Sequence, residues 1–203
     1  MAHNLARLLR NLRMDLRYGG KFLGGTTQTK FSEQGAHDTA NTDYSAMPYL
    51  FGSTIKEDDV VTDIGSGKGR VINYLLDKFP RTKIYGLELD PDCADTLRQR
   101  LQPYTNVTIL CGDACEKIPQ DTTVLYLFNP FDRNVMARFK ASVSKLAEAQ
   151  QRPIRIIYYN PTCLDVFSND PRFTVDQLQL PPNFHRAVLI TAITTAPAHK
   201  LSD

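Results

Sequence analysis

The pattern of apolar and polar positions divides most of the chain into two kinds of segment. Short apolar runs, typical of buried strands, alternate with longer stretches whose apolar residues recur every three or four positions, as on one face of a helix. The runs predict strands at 60–64, 83–89, 107–111, 124–128, 154–159, 173–180 and 184–193. The periodic stretches predict helices at 4–17, 43–54, 70–79, 91–101, 133–149 and 161–167.

The alternation of strand and helix predicts an α/β fold: a Rossmann-like, doubly wound, mostly parallel seven-stranded sheet in a three-layer α-β-α arrangement. Only Pro181, Pro182 and Asn183 separate the last two predicted strands, whereas a parallel crossover needs about a dozen residues. The last strand is therefore predicted to be antiparallel. We expect this domain at 42–203, preceded by an arm of helix and loop at 1–41.

The arm begins with leucines at helical spacing and arginines between them, which predicts a short amphipathic helix. We expect the leucines to dock on the main domain or on a second subunit, with a membrane surface or a nucleic acid as alternative partners. Two glycine pairs and a polar, threonine-rich stretch at 18–41 predict a loop.

Composition excludes several classes of protein. No apolar run reaches the roughly 18 residues of a membrane span. The net charge of +2 does not by itself indicate a nucleic-acid partner. The four cysteines include no Cys-x-x-Cys pair, so no metal site is expected, and reduced thiols predict a cytoplasmic location. The arginine-rich, acid-poor beginning leaves a mitochondrial presequence as an alternative.

The most informative stretch is Asp-Ile-Gly-Ser-Gly-Lys-Gly, which runs from Asp63 to Gly69 at the end of the first predicted domain strand. Alternating glycines let a ligand approach the backbone closely, and the next helix offers unpaired N–H groups at its start. A carboxylate two positions before the first glycine gains nothing from a pyrophosphate. The loop therefore indicates a ligand that carries positive charge.

The next two strands end in further carboxylates. Glu88 lies 19 residues after Gly69, a spacing that suits hydrogen bonds from both hydroxyls of a ribose. Asp113, at the end of the third strand, suits the exocyclic amine of an adenine, and Asp63 suits an ammonium group or orders the loop. Because the carboxyl ends of parallel strands share one edge, these groups together indicate S-adenosylmethionine.

These residues resemble those of the class I S-adenosylmethionine-dependent methyltransferases of the seven-strand Rossmann-like type. The glycine loop matches the family's acidic-x-Gly-x-Gly-x-Gly motif, and Glu88 and Asp113 match its ribose and adenine positions. The resemblance covers about residues 42 to 193. The predicted cofactor contacts are Asp63, Gly65, Ser66, Gly67, Gly69, Glu88, Leu89, Asp113, Ala114 and Asn129, with Ser66, Leu89 and Ala114 contributing backbone groups.

The turn after the fourth strand, from Asn129 to Asp132, resembles the Asn-Pro-Pro-Tyr motif of amino-directed N-methyltransferases. It departs from that motif, because Phe131 replaces the second proline. The resemblance implies Asn129, Phe131 and Asp132 as catalytic, acceptor-lining residues and slightly favours an amine acceptor. The alternative is a tight turn with Asp132 as a helix N-cap. His37 in the arm is a candidate base.

The sequence thus predicts methyl transfer to an unidentified small molecule or protein side chain. A nucleic-acid acceptor bound through the basic arm is not favoured, and the oligomeric state is not predicted. One alternative is a non-catalytic S-adenosylmethionine-binding module. Another is a nicotinamide-dependent oxidoreductase, although Arg70 stands where that fingerprint needs its third glycine.

Overall fold

The computed structural model describes residues 2–25, 30–35, 37 and 41–194. Its helices are α1 (Ala2–Gly19), α2 (Met47–Phe51), α3 (Arg70–Lys78), α4 (Pro91–Leu101), α5 (Arg133–Gln150) and α6 (Asp165–Ser168), with a 3-10 turn at Ser32–Gln34. Its strands are β1 (Val60–Ile64), β2 (Lys83–Glu88), β3 (Val107–Cys111), β4 (Val124–Phe128), β5 (Ile154–Tyr159), β6 (Phe173–Leu178) and β7 (Ala187–Ala192).

The strands form one sheet in the order β3-β2-β1-β4-β5-β7-β6. Strands β1 to β5 are parallel, and β7 pairs antiparallel with both β5 and β6. The predicted fold class and the antiparallel last strand are confirmed. The last strand lies inside the sheet rather than at its edge, because the hairpin from β6 turns back between β5 and β6.

Two apolar clusters cover the two faces of the sheet and make the three layers. Helices α2, α3 and α4 pack on one face through Leu50, Leu75 and Leu97, and α5 and α6 pack on the other through Phe139 and Phe167. The central strand β4 is buried over its first four residues, as its uninterrupted apolar run predicts. The carboxyl ends of β1, β2 and β4 are thereby fixed next to one another.

Several predicted elements are shorter than expected, among them the strand predicted at 173–180, which is Phe173–Leu178. The helix predicted at 43–54 is only Met47–Phe51, because the Asp43 carboxylate accepts the Ser45 N–H at 2.8 Å and holds a turn before it. The helix predicted at 161–167 is reduced to Asp165–Ser168. Strand β7 begins at Ala187, since the Phe184 N–H closes a turn on the Pro181 carbonyl at 3.0 Å.

Helix α1 is present, but it does not dock through its leucines. Leu5, Leu8, Leu9 and Leu16 are each more than half exposed, so docking of these leucines on the main domain is a wrong expectation. The helix instead turns its polar Asp15, which is fully buried, toward α3. Among the described residues, no helix is long and apolar enough to cross a membrane.

Candidate functional site

The glycine loop joins β1 to α3 at the carboxyl edge of the sheet. The N–H groups of Gly65 and Ser66 both donate to the Leu87 carbonyl, at 2.9 and 3.2 Å, which ties the loop to β2. Gly69 has φ 77° and caps α3, and a Cβ there would lie 2.5 Å from Arg100 Nη2. The loop therefore favours glycine at that position for its backbone angle, and a side chain there would also have to displace the Arg100 guanidinium.

Glu88, the predicted ribose ligand, fastens the glycine loop to the end of β2. Its Oε2 accepts the Gly67 N–H at 2.7 Å, and its Oε1 accepts the N–H groups of Leu89 and Asp90 at 2.8 and 3.1 Å. A carboxylate has about four acceptor sites. The three backbone bonds therefore leave acceptor capacity for about one further donor, fewer than the two ribose hydroxyls expected from the sequence.

Asp63 is the least compensated charge at this edge. It is buried, and among the described residues no hydrogen-bond donor contacts its carboxylate. Burial, together with the nearby charge of Glu88, raises its pKa to about 8. The neighbouring Ser66 Oγ is also buried without a partner. Both groups line a small cavity against the glycine loop, Tyr126 and Phe128.

The end of β3 brings the predicted adenine residues to the same edge. Glu88 and Cys111 are register partners, and the Gly112 N–H donates to the Glu88 carbonyl at 2.9 Å. Asp113 is already engaged, since Oδ1 accepts the Cys115 N–H at 2.7 Å and Oδ2 pairs with Arg138 at 3.0 Å. Ala114 beside it is buried, and Leu89 is half-buried.

The turn after β4 faces the glycine loop, because a Cβ built on Gly65 would lie 3.5 Å from Pro130 Cβ. Asn129 has φ 43° and accepts hydrogen bonds through Oδ1 from the hydroxyls of Thr162 and, at 3.3 Å, Tyr158. Its side-chain oxygen is thus already used. The other two predicted acceptor residues, Phe131 and Asp132, make contacts with α5.

Phe131 packs against Phe139 of α5, with ring centroids 5.5 Å apart. Asp132 is the N-cap of α5, and its Oδ1 accepts the Val135 N–H at 2.9 Å. The helix-cap alternative given by the sequence therefore describes the contact that Asp132 makes. A role for either residue toward an acceptor stays a prediction.

Gly35 and His37 of the arm lie along this turn. The His37 N–H donates to the Pro130 carbonyl at 3.0 Å, and the Asp132 N–H donates to the Gly35 carbonyl at 2.9 Å. His37 Nδ1 lies 2.9 Å from the Asn129 carbonyl and 3.3 Å from Asn129 Nδ2. Because a carbonyl can only accept, the shorter contact places the proton on Nδ1 and leaves Nε2 as the basic nitrogen.

A buried ion pair joins α1 to the glycine loop, and sequence reasoning missed it. Arg70, the first residue of α3, donates to Asp15 through Nε at 3.0 Å and through Nη2 at 2.6 Å, with exposures of 7% and 0%. Asp15 also accepts the Tyr44 hydroxyl and the Leu23 N–H, each at 3.0 Å. The available signal was that Asp15 is the only acid among the arm's first thirty residues.

Two further contacts hold the loop against the arm. Arg100 donates to the Lys68 carbonyl at 3.0 Å and to the Tyr18 carbonyl at 2.6 Å. Lys68 Nζ donates to the carbonyls of Gly24 and Gly25, at 3.1 and 3.0 Å. The glycine loop is therefore clamped between the sheet and the arm. Among the described residues, no group of His, Cys, Asp and Glu side chains could hold a metal ion.

The fold and this edge define a class: a doubly wound α/β protein whose glycine loop and buried carboxylate sit where such sheets bind nucleoside-type ligands. Residues 61–150 match the family model described as a methyltransferase domain. The chain carries a class I S-adenosylmethionine-dependent methyltransferase domain, as the sequence motifs predicted.

Curated relatives match only part of the chain. Ribosomal RNA small subunit methyltransferase A of Syntrophus aciditrophicus (strain SB) is 32% identical over 72 residues, which are 35% of this chain and 25% of that protein. The chain thus spans about a quarter of that relative's length.

Solved structures share the fold at low identity. A putative O-methyltransferase from Klebsiella pneumoniae superposes with a TM-score of 0.60 at 14% identity, covering 93% of this chain and 90% of that one. An RNA methyltransferase from Salinibacter ruber in complex with S-adenosyl-L-homocysteine gives 0.55 at 19% identity, covering 81% and 100%. These likenesses show the fold.

The residues present fit S-adenosylmethionine, the cofactor of this class. The buried Asp63 carboxylate and the Ser66 hydroxyl both lack hydrogen-bond partners among the described residues. The ammonium group of the cofactor's amino acid part carries the charge and the N–H donors that would satisfy them. Glu88 retains room for a hydroxyl donor. The glycine loop gives the backbone access that a bound nucleoside needs.

Proposed function

We propose that the chain is an enzyme that transfers the methyl group of S-adenosylmethionine to a small-molecule acceptor. The observation that carries the proposal is the buried Asp63 carboxylate, which has no hydrogen-bond donor among the described residues and lies beside the glycine loop. Leaving a carboxylate buried without a partner is costly. A cationic ligand bound next to Asp63 would supply the missing partner and so account for the buried carboxylate.

In the proposed site Asp63 pairs with the ammonium group, and the backbone from Gly65 to Gly69 lies along the ligand. Glu88 accepts a ribose hydroxyl, while Asp113 and the backbone of Leu89 and Ala114 border the adenine. When bound, the cofactor would supply a methyl group that is activated by the positive charge on its sulfur. The protein aligns the two reactants and excludes water.

The slight preference for an amine acceptor, drawn from the sequence, gains no support from the contacts at Asn129. Its Oδ1 accepts two hydroxyls, and the Pro130 carbonyl already accepts the His37 N–H. The Asn129 Oδ1 could accept from an amine only by displacing one of these hydroxyls, whereas the Pro130 carbonyl keeps one lone pair for a further donor. We therefore propose that Asn129 shapes the turn and that any deprotonation of the acceptor falls to another group, for which His37 Nε2 is the candidate.

A ribosomal RNA acceptor is the second candidate, because the curated relative that matches part of this chain is named a ribosomal RNA methyltransferase. Two of the basic side chains of α1 are already paired, Arg7 with Asp43 at 3.0 Å and Arg17 with Asp77 at 3.1 Å. Nucleic-acid affinity depends on cations free to meet phosphates. A protein side chain is the remaining alternative. The cytoplasmic location and the division at residues 41 and 42 stay predictions.

The deciding experiment is calorimetric titration of S-adenosylhomocysteine into the wild type, Asp63→Asn and the exposed control Asp58→Asn, followed by assay of S-adenosylhomocysteine formation with candidate acceptors. We expect Asp63→Asn to bind S-adenosylhomocysteine more weakly than the wild type, and Asp58→Asn to bind it with unchanged affinity. Turnover separates an enzyme from a non-catalytic binding module. A rise in melting temperature with a nicotinamide cofactor but not with S-adenosylhomocysteine would overturn the proposal, since a ligand stabilises only the protein that binds it.

A further inference from the structure

A cavity of about 660 Å³ lies between the arm and the carboxyl edge of the sheet, and we refer to it as the arm cavity. The arm side includes Leu8, Asn11 and Phe22, and the sheet side includes Phe128 and His185. Its volume falls in the range of roughly 300–1,000 Å³ typical of small-molecule sites. None of the expected cofactor contacts lines it.

The arm cavity adjoins the cofactor edge. Asn41, Arg70 and Phe128 line both the arm cavity and the small cavity that contains Asp63 and the glycine loop. A molecule in the arm cavity would therefore border the ammonium end of a cofactor bound at that loop. This is the relation that methyl transfer between two bound molecules requires.

The sheet side of the arm cavity is aromatic and held rigidly from behind. The ring of Tyr159 packs against Phe128 at a tilt of 47°, with centroids 4.8 Å apart, and meets His185 edge-on at 5.4 Å. The rings of Phe128 and His185 are themselves 5.7 Å apart. On the arm side the ring of Phe22 is half exposed. Such rings prefer a flat, apolar partner that can stack or meet them edge to face.

The charged groups around the arm cavity compensate one another. Arg7 pairs with Asp43 at 3.0 Å, and Arg70 pairs with the buried Asp15 at 2.6 Å. An anionic substrate needs an unpaired cation, and a cationic substrate needs an unpaired carboxylate. The described residues that line the arm cavity offer neither, so its chemistry disfavours phosphates and lysine side chains.

One polar group at the arm cavity does lack a partner. Asn11 is 9% exposed, and its Oδ1 has no hydrogen-bond partner among the described residues, while its Nδ2 makes only a long contact of 3.4 Å to Asp43. An unsatisfied buried oxygen favours a ligand that brings a hydrogen-bond donor. A hydroxyl or a neutral amino group supplies one without adding charge.

We propose that the arm cavity is the acceptor site and that the acceptor is a small, uncharged aromatic compound bearing a hydroxyl or a neutral amino group. This inference rests on the proposed function. The acceptor's ring packs between Phe22 and Phe128, and its polar group reaches toward Asn11. The methyl carbon leaves sulfur for the acceptor oxygen or nitrogen, whose proton passes to a base or to water.

The test uses the full chain saturated with S-adenosylhomocysteine and compares catechol with cyclohexanediol, its saturated counterpart, by calorimetry. The same titrations are made on Phe22→Leu, which removes a ring from the arm cavity, and on Tyr49→Leu. Tyr49 is a similarly exposed aromatic residue that stacks on Phe184 instead, with centroids 6.0 Å apart, and does not line the arm cavity. Turnover with S-adenosylmethionine is then assayed with catechol, an RNA oligonucleotide and a lysine peptide.

We expect catechol to bind more tightly than cyclohexanediol, and we expect Phe22→Leu, but not Tyr49→Leu, to weaken catechol about three- to tenfold. Equal binding of the two probes, no binding of catechol, or turnover only with RNA or peptide would overturn the inference. If S-adenosylhomocysteine itself fails to bind, the proposed function fails instead, so the two failures are told apart by the first titration.

Discussion

The ion pair between Asp15 and Arg70 makes a quantitative prediction about how the arm supports the glycine loop. Asp15→Asn removes the charge while nearly keeping the shape, and leaves Arg70, which is 7% exposed, buried without a counter-ion. Removing one partner of a buried pair costs about 3–5 kcal/mol. Since a domain's total stability is about 5–15 kcal/mol, the free energy of unfolding should fall by a large fraction.

The assay is urea denaturation, read as the free energy of unfolding, with the dissociation constant of S-adenosylhomocysteine measured on the same samples. The matched control is Glu57→Gln, which removes the partner of Arg81 in a pair whose side chains are 82% and 85% exposed. We expect no measurable change there, because exposed pairs contribute little.

A second variant separates the stability effect from the binding effect. In Asp15→Asn/Arg70→Met both charges are removed, so no buried charge is left unpaired, and the amide oxygen at position 15 can still accept from the Tyr44 hydroxyl or the Leu23 N–H. If the pair positions the glycine loop, this double variant should regain stability and still bind S-adenosylhomocysteine more weakly than the wild type. An Asp15→Asn protein within about 1 kcal/mol of the wild type would refute the reasoning, since that is the range of an exposed pair.

Three further predictions concern the cofactor edge and the turn after β4. Because the folded pKa of Asp63 is about 8, the affinity of the wild type for S-adenosylhomocysteine should rise as pH increases toward 8. The Asp63→Asn variant reports the titration of the ligand alone, so its affinity should rise less steeply. Parallel curves for the two proteins would contradict the ion pair. Glu88→Gln should weaken binding by about 1.5–3 kcal/mol, since it turns an acceptor toward Gly67 or Leu89 into a donor, and an unchanged calorimetric constant would argue against the site. His37→Gln should lower kcat and leave the KM for S-adenosylmethionine unchanged; an unaltered kcat would exclude His37 as the base.

The raised pKa of Asp63 also affects stability: as pH rises, the affinity for the ligand should increase, but the free energy of unfolding should decrease. The folded state holds a proton that the unfolded state releases near pH 4, so the free energy of unfolding falls as pH rises from there to about 8. Bound ligand should offset this loss. In the proposed site, Asp63 is thus a residue at which the fold gives up stability for ligand binding.

The sequence predicted the sheet well because each strand is a short apolar run with clear punctuation. The bounds of β1, β3, β4 and β5 agree with the prediction, and α4 begins where Asp90 and Pro91 mark its cap. Asp90 indeed accepts the Asp92 N–H at 2.9 Å. Such signals are local, so one chain suffices to read them.

The site was harder to predict, because its decisive contacts join residues far apart in the chain. The partner of Asp15 lies 55 positions away, and the contact of His37 with Asn129 spans 92 positions. Periodicity marked the leucines as the docking face of α1, but a buried ion pair outweighs an apolar stripe and follows no period. Likewise, the motif at Asn129 could not reveal that Thr162 occupies its side-chain oxygen.

These long-range contacts change the meaning of the boundary expected near residue 41. The arm supplies the counter-ion of Arg70, backbone hydrogen bonds to the turn at Pro130 and Asp132, and one wall of the arm cavity. Without it, Arg70 would lose the Asp15 carboxylate, and the apolar surface on which Met14 and Tyr18 pack would be exposed to water, which a marginally stable domain tolerates poorly. We therefore expect the predicted boundary to mark a change in composition rather than a limit of independent folding. Removal of the arm should impair folding, cofactor binding and the proposed acceptor site together, whereas a separate docking arm would leave the first two intact.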